Sequence, residues 1–351
     1  MRKWGLVILV GFLVVFSLIQ TTAAHVPLFM AGGHSLDEAI PIENPTKSWV
    51  IYSTIDEVAE PHYFYLDMQV GERIRLMLMV PIPDGDQGFR PRLALMGDGL
   101  TNMSTPPGNL EIPSGAQVMI LEPESLIPEY EGFTPTSFYV LYDLDILAPS
   151  TGRYYLAYYE PVMPGNFAIA VGYQETFSFI EWVTVPFTVL ITHLWNYQSP
   201  LTIMAPILVT LLLGFVLIFW RFPRLREEPQ FLTWMGITIG LLFIASGIFF
   251  LYQMAIALLQ VPASPQIAIT IVFGAIPIIL GLLTIRNFVS IDWQHKPRQL
   301  IVLFILAISA LFLWAGWIIG PILLMLTAAI ASIQLLLELR TNPVTMSRES
   351  N

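Results

Sequence analysis

The side chains with the most chemistry in this chain are histidines. It has five of them and no cysteine, so thiolate chemistry, disulfides, iron–sulfur clusters and Cys-based zinc sites are excluded. His25 follows Thr22-Ala23-Ala24, small residues placed as a signal peptidase requires. Cleavage after Ala24 makes His25 the mature N-terminus. A free amine and its own imidazole can chelate one metal, and a second imidazole completes a histidine brace. His34 and His62 are the candidates for that second ligand, and imidazole nitrogen suits copper. The alternative is that all three are ordinary surface or hairpin histidines and that the protein carries no cofactor.

Other constellations point to weaker chemistry. Pro83-Asp84-Gly85-Asp86-Gln87-Gly88 has two acidic positions of a calcium loop but lacks the distal Glu, so a simple acidic turn is expected. Ser, His and Asp residues occur in the N-terminal half, but no nucleophile-elbow motif singles out a triad. Tyr154, Tyr155, Tyr158 and Tyr159 could line a sugar-binding face. Strand alternation puts Tyr154 and Tyr158 on one side and Tyr155 and Tyr159 on the other. Tyr154 and Tyr158 are the candidate ligand pair, and one of the two pairs belongs to the core.

These residues sit in an acid-rich segment. Residues 25–199 hold 21 Asp/Glu against 6 Lys/Arg, a balance of −15, whereas residues 200–351 hold 5 against 8, a balance of +3. Such acidity repels nucleic acid. Ahead of it, Arg2 and Lys3 precede an apolar stretch from Trp4 to Ile19, the charge and length pattern of a signal peptide over residues 1–24.

The acid-rich segment is patterned as strands. Trp49–Tyr52, His62–Met68, Arg73–Val80, Arg92–Met96, Ser137–Tyr142, Arg153–Tyr159 and Asn166–Gly172 are β-prone runs separated by Gly/Pro turns, Gly71-Glu72 among them. Short strands at this spacing indicate a β-sandwich. In His62–Leu66, Val70–Leu78, Leu93–Leu95, Gly152–Ala157 and Gly165–Val171 the chain resembles the bacterial pre-peptidase C-terminal (PPC) type of jelly-roll-like β-sandwich. The resemblance covers residues 51–172, with a long insertion between Leu100 and Thr136. It implies an accessory or binding module attached to an exported protein and does not by itself imply catalysis. The insertion carries Asn102-Met103-Ser104, an N-glycosylation sequon.

Beyond residue 175 the chain turns apolar. Residues 176–199 hold Trp182, Trp195 and Tyr197 with Glu181, Pro186 and His193. Trp and Tyr favour the membrane interface, so this segment reads as an interfacial collar. Five spans follow, at about 200–220, 231–251, 266–285, 300–316 and 317–337, each near the length that crosses a bilayer. They contain no Asp, Glu, Lys, Arg or His, which argues against a proton-coupled transporter or pump. Gly236…Gly240 and Gly316…Gly320 have the spacing that lets helices pack closely. Arg221, Arg224, Arg226, Arg286, Lys296, Arg298 and Arg340 fall in alternate loops. With the β domain outside, every basic loop lies inside, and residues 339–351 form a cytoplasmic tail.

The expected protein is therefore β plus membrane α. A jelly-roll-like β-sandwich over residues 25–175 is followed by a five-helix transmembrane bundle over residues 200–338. The expected role is a non-enzymatic cell-membrane protein. It would be embedded in lipid, assembled with other membrane proteins, and would present a module for a carbohydrate or protein ligand outside. A copper-binding exported protein, a receptor and a transport-complex subunit are the alternatives.

Overall fold

Alternating burial along the strands builds the N-terminal half. In the computed structural model, which describes residues 25–58, 60–101, 105–123, 126–227 and 230–341, the chain divides into two compact units. The leader, the sequon and the tail beyond Thr341 lie outside the described residues. One unit is Met1–Gln198 with Ala255–Ile267, and the other is Ser199–Met254 with Ala268–Asn351.

The first unit holds eleven strands among its described residues: β1 (Val26–Phe29), β2 (Ile40–Pro41), β3 (Trp49–Ile55), β4 (His62–Met68), β5 (Arg73–Pro81), β6 (Arg92–Gly97), β7 (Gln117–Leu121), β8 (Ile127–Glu131), β9 (Thr136–Leu147), β10 (Gly152–Tyr159) and β11 (Gly165–Val171). They form a six-stranded sheet in the order β1-β3-β11-β5-β9-β8 and a five-stranded sheet in the order β2-β4-β10-β6-β7. Both sheets are mixed, because β1 runs parallel to β3 and β2 parallel to β4 while the other pairings are antiparallel.

The inner faces follow the period of two that a pleated strand imposes. Phe64, Leu66 and Met68 of β4 meet Leu156 and Tyr158 of β10 and Leu93 and Leu95 of β6. From the other sheet come Ile51, Leu76, Leu78, Phe167 and Ile169. Part of the other face of the five-stranded sheet is also covered, while Asp67 and Arg153 at one end of it are exposed. Tyr63, Ala94, Met96, Ala157 and Tyr159 pack under Leu36, Leu110 and Val118, so chain from the long insertion roofs that part. The insertion also supplies β7 and β8, one at an edge of each sheet. Pro27, Pro41 and Pro128 all sit on edge strands, where a missing N–H interrupts no ladder.

Among its described residues this unit has two helices of its own. The first, α1 (Ile82–Gln87), is one helical turn closed by Gly88 at φ 101°. The second, α2 (Phe179–Trp195), starts at a capping box in which Ser178 and Glu181 satisfy each other's backbone N–H groups. Lys47 Nζ contacts both Glu181 carboxylate oxygens at 2.6 Å and lies 4.1 Å from the centroid of the Trp49 ring. The start of α2 is thereby fastened to the strand-β3 end of the six-stranded sheet.

The second unit is helical: α3 (Pro200–Arg221), α4 (Phe231–Ala257), α5 (Ile267–Phe288), α6 (Pro297–Phe312) and α7 (Ile319–Thr341). Four of these, α3, α4, α5 and α7, are long and apolar enough to cross a membrane, and α6 has only 16 residues. Two glycine pairs of seven-residue spacing join α4 to α5. A Cβ on Gly247 would stand 2.3 Å from the Gly274 carbonyl oxygen, and one on Gly281 would stand 2.4 Å from that of Gly240. The helices therefore run antiparallel at backbone contact distance, which only glycine permits. Gly236 packs on the Phe288 ring, and Gly316 and Gly320 pack on Phe243. The small-residue spacings seen in the sequence thus serve packing inside this unit.

Candidate functional site

His25 opens strand β1, and its Nδ1 is hydrogen-bonded to the Ser48 hydroxyl. It lines a cavity of about 50 Å³ on the outer face of the six-stranded sheet with Tyr52, Glu131, Thr134, Thr136 and Trp195. That is room for a few waters rather than an organic ligand. Burial, assisted by the nearby Arg75 charge, pushes the imidazole from its ordinary 6.5 down to about 4, so it is neutral at pH 7. The Glu131 carboxylate accepts from the backbone N–H groups of Phe133 at 2.8 Å and Thr134 at 2.5 Å and from the Thr134 hydroxyl. Burial raises its pKa and these hydrogen bonds oppose the shift. The carboxylate shapes the 131–134 turn with the acceptors a ligand would need.

His34 and His62 come together elsewhere, with ring centroids 5.2 Å apart in an edge arrangement. His34 Nδ1 lies 3.0 Å from Glu60 Oε1 at the surface, whereas His62 is 3 % exposed. Burial and the neighbouring His34 lower the His62 pKa, and Glu60 and Asp56 oppose the shift. Two of the three expected copper ligands are thus adjacent, and His25 has a different neighbourhood. Among the described residues no group of three His, Asp or Glu side chains is arranged to hold a metal ion.

Tyr154 and Tyr158 are the inner pair of β10 and are fully buried, so neither offers a face to a sugar. The Tyr154 ring lies against Gly97, where a Cβ would stand 2.3 Å from it. Its hydroxyl donates to the Ser150 carbonyl at 2.9 Å and accepts from the Ser150 N–H at 3.1 Å. Tyr158 stacks on Phe167 at 5.4 Å and meets the Phe64 ring edge-on at 6.1 Å. Alternation correctly separates the two tyrosine pairs. The inner face of β10 is opposed by the other sheet, which places Tyr154 and Tyr158 in the core.

The Asp84–Asp86 loop is the α1 turn. Asp84 is buried and accepts from the Asn166 N–H at 2.8 Å and the Tyr197 hydroxyl at 3.0 Å, and Asp86 accepts from the Tyr139 hydroxyl at 2.8 Å. Both carboxylates hold the fold together.

An open cleft lies at one end of the first unit, where Gly88, Arg90 and Arg92 meet Glu122, Pro123 and Leu126 and the segment Glu160–Val162. It encloses about 560 Å³, within the roughly 300–1,000 Å³ typical of small-molecule sites. Arg90, Arg92, Glu122 and Glu160 supply its charge, and Leu126 and Val162 its apolar wall. Glu160 is 3 % exposed, and its carboxylate accepts from the backbone N–H groups of Arg90 at 3.1 Å and Val162 at 2.9 Å. One carboxylate therefore ties two of the converging loops to each other. Burial raises its pKa against these hydrogen bonds. The sequence signal for this cleft is Arg90-Pro91-Arg92, two cations on the same side of an extended segment. Comparison of the chain with protein-family models and with curated proteins gives no match to either.

Proposed function

We propose that the protein is a non-enzymatic, multi-pass membrane protein that carries its β unit, a jelly-roll-like sandwich of the PPC type, on the extracytoplasmic side as a binding module. The observation that carries this reading is the division of chemistry between the units. The apolar interiors of α3, α4, α5 and α7 hold no ionisable side chain, so the helical unit lacks the usual marks of a proton or ion path. The β unit has a charged, solvent-open cleft of about 560 Å³ and a second open one of about 540 Å³.

Five crossings suit this reading better than four. The 23 residues of α7 extend about 34 Å. His295 Nε2 lies 3.1 Å from Glu338 Oε2, so the start of α6 stands beside the end of α7. The connection 313–318 then sits a full α7 length away, and α6 with that connection traverses the same thickness. An odd count with the β unit outside leaves the basic loops and the C-terminus inside.

Native mass spectrometry of the full chain, extracted from its membranes in mild detergent, tests the reading. A stoichiometric second chain or bound small molecule is expected. A chain that carries neither, and that consumes a compound in a metabolite-depletion assay, overturns it.

A further inference from the structure

The second open cleft of the β unit lies where the end of α2 meets strands β1 and β3. It encloses about 540 Å³, again within the range of small-molecule sites. Three aromatic side chains form its wall. Phe29 and Tyr52 are opposite each other in the β1–β3 pairing and stack with ring centroids 5.0 Å apart. The Trp195 ring meets Tyr52 edge-on at 4.9 Å, and its Nε1 donates to the Ser53 carbonyl at 3.3 Å. Those contacts fix the indole. Phe29 is 40 % exposed, so the wall offers aromatic surface to whatever enters.

The neutral polar side chains of the cleft are bonded among themselves. The Thr54 hydroxyl donates to Asn166 Oδ1 at 2.7 Å, and Asn166 Nδ2 donates to the Trp195 carbonyl at 2.8 Å. The charged group of the lining is Asp56, which is exposed. The six cations of residues 25–199 are all placed beside other acids. Lys47 pairs with Glu181, Arg73 with Asp145, Arg75 with Asp143 and Arg153 with Asp67. Arg90 and Arg92 lie in the field of Glu160 and Glu122. Among the described residues, then, no lysine or arginine pairs with Asp56. Its charge reaches His62, but burial and the neighbouring His34 lower that pKa, so His62 is neutral at pH 7. Other acids of this unit also lack a cation; Asp56 differs in sharing a cleft with three aromatic side chains.

A carboxylate beside aromatic surface suits an ammonium ion, whose charge pairs with the acid and is attracted by the rings. The balance of 21 acids to 6 cations across residues 25–199 draws cations and repels anions. The rest of the wall is apolar. Ile180, Phe187, Ile191 and Leu194 are the exposed apolar residues along one face of α2, opposite the buried Val185 and Val189, and Ile191 and Leu194 line the cleft. We propose that this cleft binds an organic ammonium ion with an apolar body, its charge on Asp56 and its body against Phe29, Trp195, Ile191 and Leu194. A water-borne amine and a long-chain amine dissolved in the bilayer share this chemistry, and only residues 196–199 separate α2 from the apolar helix α3. The inference rests on the binding-module reading and names a site and a ligand class for it.

The test is isothermal titration of the full chain in a neutral maltoside detergent at pH 7, with detergent alone as the blank. The probes are phenethylamine, phenethyl alcohol, which has the same body without the charge, and phenylacetate. Phenethylamine is expected to bind, and the alcohol at least about tenfold more weakly, because it lacks the charge-assisted contact. Asp56→Asn is expected to weaken amine binding about tenfold or more. Phe29→Leu, which keeps an apolar side chain and removes the ring, is expected to weaken it about threefold or more. Glu57→Gln removes the neighbouring exposed acid that does not line the cleft and is expected to bind as the parent does, which separates a site from general attraction to an acidic surface. Displacement of phenethylamine by octadecylamine carried in the micelles identifies a bilayer-borne amine as the source, and undiminished binding identifies a water-borne one. Equal binding of amine and alcohol, preference for phenylacetate, parental affinity in Asp56→Asn, or equal weakening by Asp56→Asn and Glu57→Gln would overturn the proposal. No amine binding at millimolar concentration also overturns it and leaves the binding-module reading to the mass-spectrometric result.

Discussion

Replacing Tyr154 separates a core tyrosine from a ligand-facing one. The side chain has no exposed surface, so Tyr154→Ala removes a whole aromatic ring from a closed interior. Aromatic-to-alanine changes in such places cost about 3–5 kcal/mol, part transfer and part cavity. For a unit of this size each kcal/mol lowers the melting temperature by roughly 2–4 °C, so a fall on the order of 10 °C follows. Tyr154→Phe keeps the ring and removes the hydroxyl that pairs with both the N–H and the carbonyl of Ser150. Leaving those groups unpaired costs about 1–3 kcal/mol. The assay is thermal unfolding of the full chain in detergent, with limited proteolysis reporting loss of the β unit. A surface tyrosine would change stability by no more than about 0.5 kcal/mol. The core assignment fails if Tyr154→Ala melts with the parent.

Three further outcomes follow from named contacts. Gly247→Leu drives a side chain into the Gly274 backbone and is expected to destabilise the helical unit by about 1–3 kcal/mol. Gly108→Ala, with nothing within 4 Å, is expected to leave stability unchanged, and detergent-resistance melting compares the two. His25 binds a proton near pH 4 when folded and near 6.5 when unfolded. Its stabilising contribution is complete above pH 6.5 and is lost as pH falls toward 4, by up to about 1.4 kcal/mol per pH unit. Urea midpoints measured across that window should lose this slope in His25→Gln. Burial would raise the Glu181 carboxyl, but the hydrogen bonds from Lys47 and Ser178 outweigh it and hold the pKa below its usual value. Lys47→Met should therefore speed hydrogen exchange in the first turns of α2 at neutral pH, with unchanged exchange in β10 as the internal reference. Equal exchange in both proteins would show that the ion pair does not fasten the helix.

How much of this was legible depends on how local the signal is. Strands β3 to β6 and β9 to β11 could be read because each contains a run of β-prone residues bounded by turn residues. Strands β1 and β2 could not, because they have four and two residues, contain proline, and are strands only through their pairing with β3 and β4. The insertion looked irregular because Pro128 interrupts β8, yet an edge position tolerates it. The arginines give the sharpest case. Arg73-Ile74-Arg75 and Arg90-Pro91-Arg92 have the same spacing. Strand register sets Arg75 opposite Asp145 and Met77 opposite Asp143 on β9, which neutralises the first pair. The second pair begins β6, where Arg92 faces Tyr159. Only the long-range pairing shows which acids each pair of arginines meets, Asp143 and Asp145 for the first and Glu122 and Glu160 for the second. The histidines show the same limit, since their sequence positions do not reveal that His62 lies beside His34 while His25 bonds to Ser48.

The central claim, a β unit held outside on a helical membrane base, is tested most directly by single-cysteine accessibility, because the chain has no cysteine of its own. Leu147→Cys on β9 and Ala263→Cys between α4 and α5 report one side. Glu227→Cys, Ile291→Cys and Ser347→Cys report the other. A membrane-impermeant maleimide should label the first two in intact cells and the last three only after permeabilisation. Labelling of Leu147→Cys only after permeabilisation would contradict the account outright. Labelling of Ser347→Cys in intact cells would replace five crossings with an even number.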